Sequence, residues 1–574
     1  MNSRILLQPT KHLLFVPSVM LAVMATPTLV AADTIDIQNT NYSIPNGAYF
    51  VAPNGKDTNS GRNANSPWTV AKALSAAPSG ATIVFRGGQY RNVQASITKR
   101  LTLQAYPNEK PWLKGSTIVT GWANEGRIWR KDGWNYSFPQ NVGQQYIDSR
   151  YPLAGRRDMV YVNGAALKQV GSKAAVGAGE FYVDAANNKL YIGTNPSGKT
   201  VEATTKNQAF MIWKSRFSNP TDTVIRGLGF AHYADQGVKI GAPRLTLENN
   251  TFAWNGVYGA AIFSTDGIVR GNTFTYNGRQ GLFGVSTHRT RIENNTINNN
   301  NVENFRKQWD AAGVKIIKTD GAIVRGNLVA NNNSTGIWID NSATNTTIVK
   351  NNVRNNKQNG ILFEISHKAI IAANVVTHNY PVGVFVYNSS SARVYNNTIA
   401  QNNANIAVKD TQRNNRKSSE ISKGITWIAR NNIVKNNILW QSTGASLFFA
   451  PSCETRVAST QMVPVANFNA YYRRSLGSAA SHTWSSGGSR CSVVYNSLTA
   501  FKNATGLESN GMETVASSDP FFVNASGGDY RLKSGSPAIR RGESLPTDIA
   551  NAIGVAAGVA VDLGALQHNA SFTQ

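Results

Sequence analysis

The sequence predicts an all-β fold, a single-stranded parallel β-helix, and three observations carry that reading. One short unit recurs between Gly237 and Asp410. Aligned on their first residue, its copies begin at Gly237, Gly259, Gly281, Gly313, Gly336, Gly360, Gly383 and Asn405, at spacings of 22, 22, 32, 23, 24, 23 and 22 residues. A second series, Asn250, Asn272, Asn295, Asn327, Asn352, Asn374 and Asn397, precedes those positions, each asparagine closing a short apolar stretch. The units also alternate as β-strands do and lack the apolar spacing of a helix, which excludes the helical repeats of similar length. Such a period belongs to a solenoid. Coils stacked at the strand spacing of ~4.8 Å bring equivalent asparagines together. Their amides can then bond from coil to coil, sparing the cost of a lone buried amide. The sequons at Asn249, Asn294 and Asn396 are thereby explained by a Thr following a ladder asparagine, without glycosylation.

Along the chain, residues 1–32 read as an export signal: Arg4 and Lys11 precede an apolar run, and Val30-Ala31-Ala32 has the small residues of a cleavage site. Pro17, Ser18, Thr26, Pro27 and Thr28 interrupt that run, which argues against a membrane anchor, and no other segment is apolar enough to span a bilayer. Residues 33–120 are expected to form an N-terminal cap and first coils. The aromatic-rich stretch 121–215 breaks the period and is read as a β-rich insertion. The regular coils occupy 216–450, and 451–574 hold C-terminal coils and a cap.

Phe50-Val51-Ala52-Pro53-Asn54-Gly55, Ser66-Pro67-Trp68-Thr69, the amphipathic piece Val70–Ala77 and Gly87-Gly88-Gln89-Tyr90 resemble the opening segment of secreted right-handed parallel β-helix proteins of the pectin-lyase-like superfamily. Asp519-Pro520-Phe521-Phe522 and Asp562-Leu563-Gly564-Ala565 resemble its closing segment. The resemblance implies a right-handed solenoid whose first coil is plugged by a short helix. It leaves the reaction open, because that fold hosts lyases, hydrolases, epimerases and adhesins.

The net charge is +26, or +24 without Arg4 and Lys11, a field that attracts polyanions. Export and the lack of a nucleic-acid module make an acidic polysaccharide the expected partner rather than nucleic acid. Cys453 and Cys491 are the only cysteines; an exporting compartment permits them to pair, and two cysteines without a nearby His pair do not make a zinc site. Asp57–Gly61 is similar to a calcium loop, but its twelfth position is Trp68 and not Glu, so a turn is expected there.

Side chains alternate along a strand, so the first and third residues after each glycine are assigned to the core and the second and fourth to the outer face. Val238, Ile240, Ile337, Ile339, Ile361 and Val384 then face inward. Asp340, Glu364, Tyr387 and Lys409 form one outward column, with Lys315 and Trp338 beside it and Lys239 at the second position of an earlier coil. Carboxylates one coil apart are roughly 5 Å from each other; one of the two must take a proton, or a lysine or a bridging Ca2+ must neutralise them. The ten extra residues before Gly313, carrying Trp309 and Asp310, are expected to bulge beside Lys315. His232, His288 and His367 are expected to be structural or peripheral. Trp309-Asp310 through Lys315, Gly336 through Asp340 and Gly360 through Ser366 are similar to a signature of bacterial secreted β-helix proteins that act on polysaccharides. That likeness implies polar roles for Asp310, Lys315, Asp340 and Glu364, with Asp310 standing where the signature more often has Glu.

Two chemistries fit these residues, and charge places the first ahead. In β-elimination from a uronate polymer, Lys315 with Lys239 or Arg289 neutralises the uronate, and Lys315, Lys409 or Tyr387 serves as base; a C5-epimerase shares that first step. In a retaining glycoside hydrolase, Asp340 and Glu364 supply the acid and the nucleophile. Trp309 and Trp338 are expected to stack on sugar faces. A binding or adhesin β-helix without turnover is the third reading.

Overall fold

Each repeat folds into three short strands separated by turns, as in Thr246–Glu248, Thr251–Ala253 and Tyr258–Ile262. Stacked coil on coil, these strands build three sheets of 13 strands each. The computed structural model describes residues 35–568 apart from 445, 476 and 478, so the export-signal reading of 1–32 lies outside the described residues. Neighbouring coils pair in parallel and in register, with Val314 beside Ile337, Ile337 beside Ile361, and Ile361 beside Val384. All six residues assigned to the interior are fully buried.

Two asparagine ladders hold the turns. The first runs through Asn250, Asn272, Asn295, Asn327, Asn351, Asn374, Asn397, Asn437 and Asn469, each side-chain oxygen accepting from the coil before at 2.9–3.0 Å. Its member in the fifth coil is Asn351, not Asn352: in every coil the ladder asparagine directly follows a residue in the left-handed conformation, and here that residue is Lys350 (φ 56°), as it is Asn249, Gly271 or Asn294 in earlier coils. The second ladder, at the turn leading into the third sheet, runs through Asn255, Asn277, Asn300, Asn332, Asn356, Asn379 and Asn402. It explains the recurrent glycine. A Cβ on Gly336 would stand 2.7 Å from the carbonyl oxygen of Gly360 and 2.9 Å from the Asn356 amide, so glycine keeps the strand start clear of the ladder until the last copy, where Asn405 stands at this position and itself accepts from Asn402 Nδ2 at 3.2 Å. Phe230, Phe252 and Phe274 stack inside at about 5 Å, one ring per coil.

The N-terminal opening is plugged by the helix Val70–Ala76, whose Val70 and Ala73 enter the core. At the other end Phe501 of the helix Leu498–Thr505 packs on His482 and Trp484. The tail beyond Asp519 does not close that end. Phe521, Tyr530 and Leu532 fold back onto Ala400, Trp440 and Tyr472 on the outside of the second sheet, and the helix Thr547–Ile553 packs on Val349 and Tyr395. The β-rich insertion forms a four-stranded and a five-stranded sheet, largely antiparallel. Its strands span Ser116–Ile118 to Val201–Thr204. Gln208–Trp213, read from sequence as insertion, is a coil strand paired with Gln236–Gly241. Cys453 and Cys491 form a disulfide. Among the described residues no helix is long and apolar enough to cross a membrane.

Candidate active site on the third sheet

The outer face of the third sheet carries the predicted column, but side chains expected in solvent are covered. Register sets Phe283 beside Lys315, Lys315 beside Trp338, Ile317 beside Asp340, and Glu364 beside Tyr387. The side chains of Lys315, Asp340 and Glu364 keep only 4%, 12% and 11% of their exposure. Two excursions from the coils wall them in. At the start of the strands, the 301–311 bulge meets the insertion, where the Arg306 N–H donates to the Tyr146 carbonyl at 2.9 Å. At their far ends, a loop beyond Lys409 returns over the sheet, where Trp427 Nε1 donates to Ser342 Oγ at 3.1 Å and Arg413 reaches Glu364.

Lys315 is the hub. Its Nζ lies 3.1 Å from Asp310 Oδ1 and 3.0 Å from Asp340 Oδ2, donates to the Trp309 carbonyl at 3.3 Å, and sits 3.5 Å from the centre of the Trp338 ring. Burial alone would lower its pKa, but the charges of Asp340 and Asp310 outweigh burial and raise it, so Lys315 is a firmly held cation. It bridges Asp310 and Asp340. Trp338 is only 3% exposed and supports Lys315 from below, which corrects its reading as an open sugar platform. Trp309, 52% exposed, does present a ring to solvent.

Glu364 has a different environment. Its Oε1 accepts from Arg413 at 2.7 Å. Burial pushes its pKa up, the nearby Asp340 charge adds to that, and Arg413 opposes it. Arg413 is aligned by Asn388 Oδ1 and stands 4.3 Å above the Tyr387 ring, which itself stacks on Phe385 at 4.8 Å. Asp340 Oδ1 accepts the Asn341 N–H at 2.6 Å. Two carboxylates on neighbouring coils are thus set apart, one salt-bridged to a buried ammonium and the other biased toward its protonated form.

Asp310 is a structural ligand of this cluster, bonded to Arg279 and Gln280 as well as to Lys315. Lys409 pairs with Glu454 at 3.3 Å. Lys239 stands in the Lys315 column three coils away, with Ala261 and Phe283 between them. Among the histidines, His232 is buried against Tyr161 at 3.7 Å. Sequence reasoning missed Arg279 and Arg413. Arg279 had a signal, since the residues two before the other glycines are Asp235, Val257, Ala311, Ser334, Gln358 and Pro381, none of them cationic. Arg413 had none, because its loop lies beyond the last repeat.

Comparison with known proteins agrees with this architecture. A family model described as "Right handed beta helix region" matches residues 229–399, and one described as "Periplasmic copper-binding protein (NosD)" matches 145–306. The chain is a right-handed parallel β-helix protein, and these matches support its likeness to the pectin-lyase-like superfamily. Pectate lyase L of Dickeya chrysanthemi is 30% identical over 127 residues, 22% of this chain and 27% of that protein, so the chain spans little more than a quarter of that relative's length. The structure titled "The complex structure of XylC with xylose" superposes with a TM-score of 0.59 at 17% identity, over 74% of this chain and 83% of that one. Pectate lyase Pel9A gives a TM-score of 0.46 at 13% identity, over 94% and 100% of the two chains. The residues present do not fit a copper centre: among the described residues no three His, Cys, Asp or Glu side chains stand close enough to share a metal ion.

Proposed function

We propose that this chain is an exported carbohydrate-active enzyme that hydrolyses a glycan with retention at the anomeric carbon, using Asp340 as nucleophile and Glu364 as acid and base. The unequal environments of these two carboxylates carry the reading: Asp340 is salt-bridged to the buried ammonium of Lys315, while burial and the Asp340 charge raise the Glu364 pKa, which suits a nucleophile beside an acid. Their spacing of one coil, roughly 5 Å, suits retention, which needs about 5 to 5.5 Å. In the first step an Asp340 oxygen bonds to the anomeric carbon while the glycosidic C–O bond breaks, and Glu364 gives its proton to the departing oxygen. In the second, Glu364 takes a proton from water, whose oxygen displaces Asp340 from the sugar. Lys315 orients Asp340 and offsets its charge beside Glu364, and Trp309 offers a ring for a sugar face.

β-Elimination from a uronate polymer is the second reading, favoured by the net charge of +26 and by the pectate lyase relative. It takes second place because the three cations at the centre, Arg279, Lys315 and Arg413, each already face a carboxylate. Neutralising a uronate there would mean breaking one of those pairs. Product analysis on a panel of acidic and neutral polysaccharides separates the two. New reducing ends with retained configuration support hydrolysis, unsaturated uronyl ends establish elimination, and unshortened polymer on every substrate overturns both.

A further inference from the structure

A cavity of about 300 Å3 lies on another face of the solenoid, outside the second sheet where the insertion leaves the coils. Four consecutive strands of that sheet contribute to it: Gln89, then Trp112 and Lys114, then Ala231 and His232, then Ala253 and Trp254. Ala231 and Ala253 are neighbours in register, and their small side chains leave room between the larger ones. Trp112 lies flat over Gly229, where an added Cβ would stand 2.4 Å from its ring.

The polar end of this cavity is built with care. Lys114 and His232 are both more than nine-tenths buried. Glu202, delivered by the last strand of the insertion, accepts from Lys114 at 3.2 Å, from Arg91 at 2.9 Å and from Ser116 at 2.7 Å, and lies 3.2 Å from His232 Nδ1. Burial acts first to lower the His232 pKa and outweighs the pull of Glu202, so the imidazole is neutral. Lys114 and Arg91 then face a single carboxylate, and one positive charge is left over. Asp36, on the cavity wall, is already paired with Lys110. Among the described residues nothing bonds His232 Nε2, and Trp254 Nε1 is buried without a partner. An uncompensated buried cation favours an anion, the unprotonated His232 Nε2 can accept from a sugar hydroxyl, and indole rings favour the apolar face of a sugar.

We propose that this cavity is a second saccharide site, separate from the Asp340–Glu364 cluster, that takes one hexuronate residue with its carboxylate toward Lys114 and its ring against Trp112 and Trp254. Such a site would hold an acidic chain on the solenoid while a different stretch, or a different molecule, occupies the third sheet.

The test is calorimetric titration of the intact protein with glucuronate, galacturonate and glucose, repeated with Ala253→Leu and with Lys114→Met. Ala253→Leu fills the cavity without touching a charge, which keeps the test meaningful if Lys114→Met fails to fold. We expect a hexuronate to bind the parent protein, at least tenfold tighter than glucose, and Ala253→Leu to weaken that binding at least tenfold while turnover of a short substrate is unchanged. The proposal is overturned if neither uronate binds, if glucose binds equally well, or if Ala253→Leu leaves uronate affinity intact. Loss of turnover in Glu364→Gln bears only on the third sheet, so failure here and failure of the proposed reaction are distinguishable.

Discussion

Removing the ammonium of Lys315 leaves Asp310 and Asp340 buried against each other without their shared cation, so Lys315→Met should lower stability as well as turnover. Breaking a buried pair from one side typically costs about 3–5 kcal/mol, and a shift of that size would appear in thermal unfolding. Glu364→Gln is the cleaner catalytic probe, because it removes a proton donor and a charge together and keeps the shape. Turnover should fall roughly 10²- to 10⁴-fold, the usual worth of a positioned acid or base, and near-normal turnover in Glu364→Gln would show that the column is a structural charge cluster. Arg413 supplies a sharper test of the assigned role. Glu364 must carry its proton to act as acid, and Arg413 lowers its proton affinity. Activity should therefore fall as pH rises through the Glu364 pKa, and Arg413→Met should move that alkaline limb upward. A pH profile of kcat/KM checks this; a limb that stays in place or moves down assigns the titration to another group.

Between residue and molecule, the asparagine ladder needs a partner at each end of the stack. Glu508 closes the first ladder, with Oε1 accepting from Asn469 Nδ2 at 2.6 Å and from Tyr471 at 2.8 Å. Burial pushes its pKa up from 4.5 to about 7, against the lowering effect of those bonds. A carboxyl whose folded pKa lies above its unfolded value stabilises the fold fully below the unfolded value and loses that contribution as pH rises through the folded one. Stability should accordingly decline between about pH 4.5 and 7 by roughly 3 kcal/mol from this group. Glu508→Gln should flatten that part of the curve of Tm against pH. An unchanged slope in the variant would mean that the ladder end is not what titrates. The ladders also show what was readable at this scale. The first was visible because its asparagines close apolar stretches. The second was equally legible, since each member follows its first-ladder counterpart by five residues, from Asn250 and Asn255 to Asn397 and Asn402, and it was passed over because its asparagines stand in the turns and close no apolar stretch.

For the whole molecule, the excess of cations should make binding of an acidic polysaccharide weaken steeply with added salt, since exposed charges are screened within about 10 Å at 0.1 M. Affinity measured between low and moderate salt checks this, with a neutral glycan as control, and equal salt response for both would remove charge as the basis of attraction. The repeat by itself determined the solenoid, its interior residues and the column that joins Lys315, Asp340 and Glu364. It could do so because stacked coils bring equivalent positions together, so one period in sequence becomes one contact in space. Only the tertiary structure decided the charge state of that column. Arg413 meets Glu364 from 49 positions away, Arg279 reaches Asp310 across 31, and both excursions bury what alternation had placed in solvent. These contacts come from loops without a period, whose path is set by how they pack back onto the coils, and a repeat carries no information about segments that interrupt it.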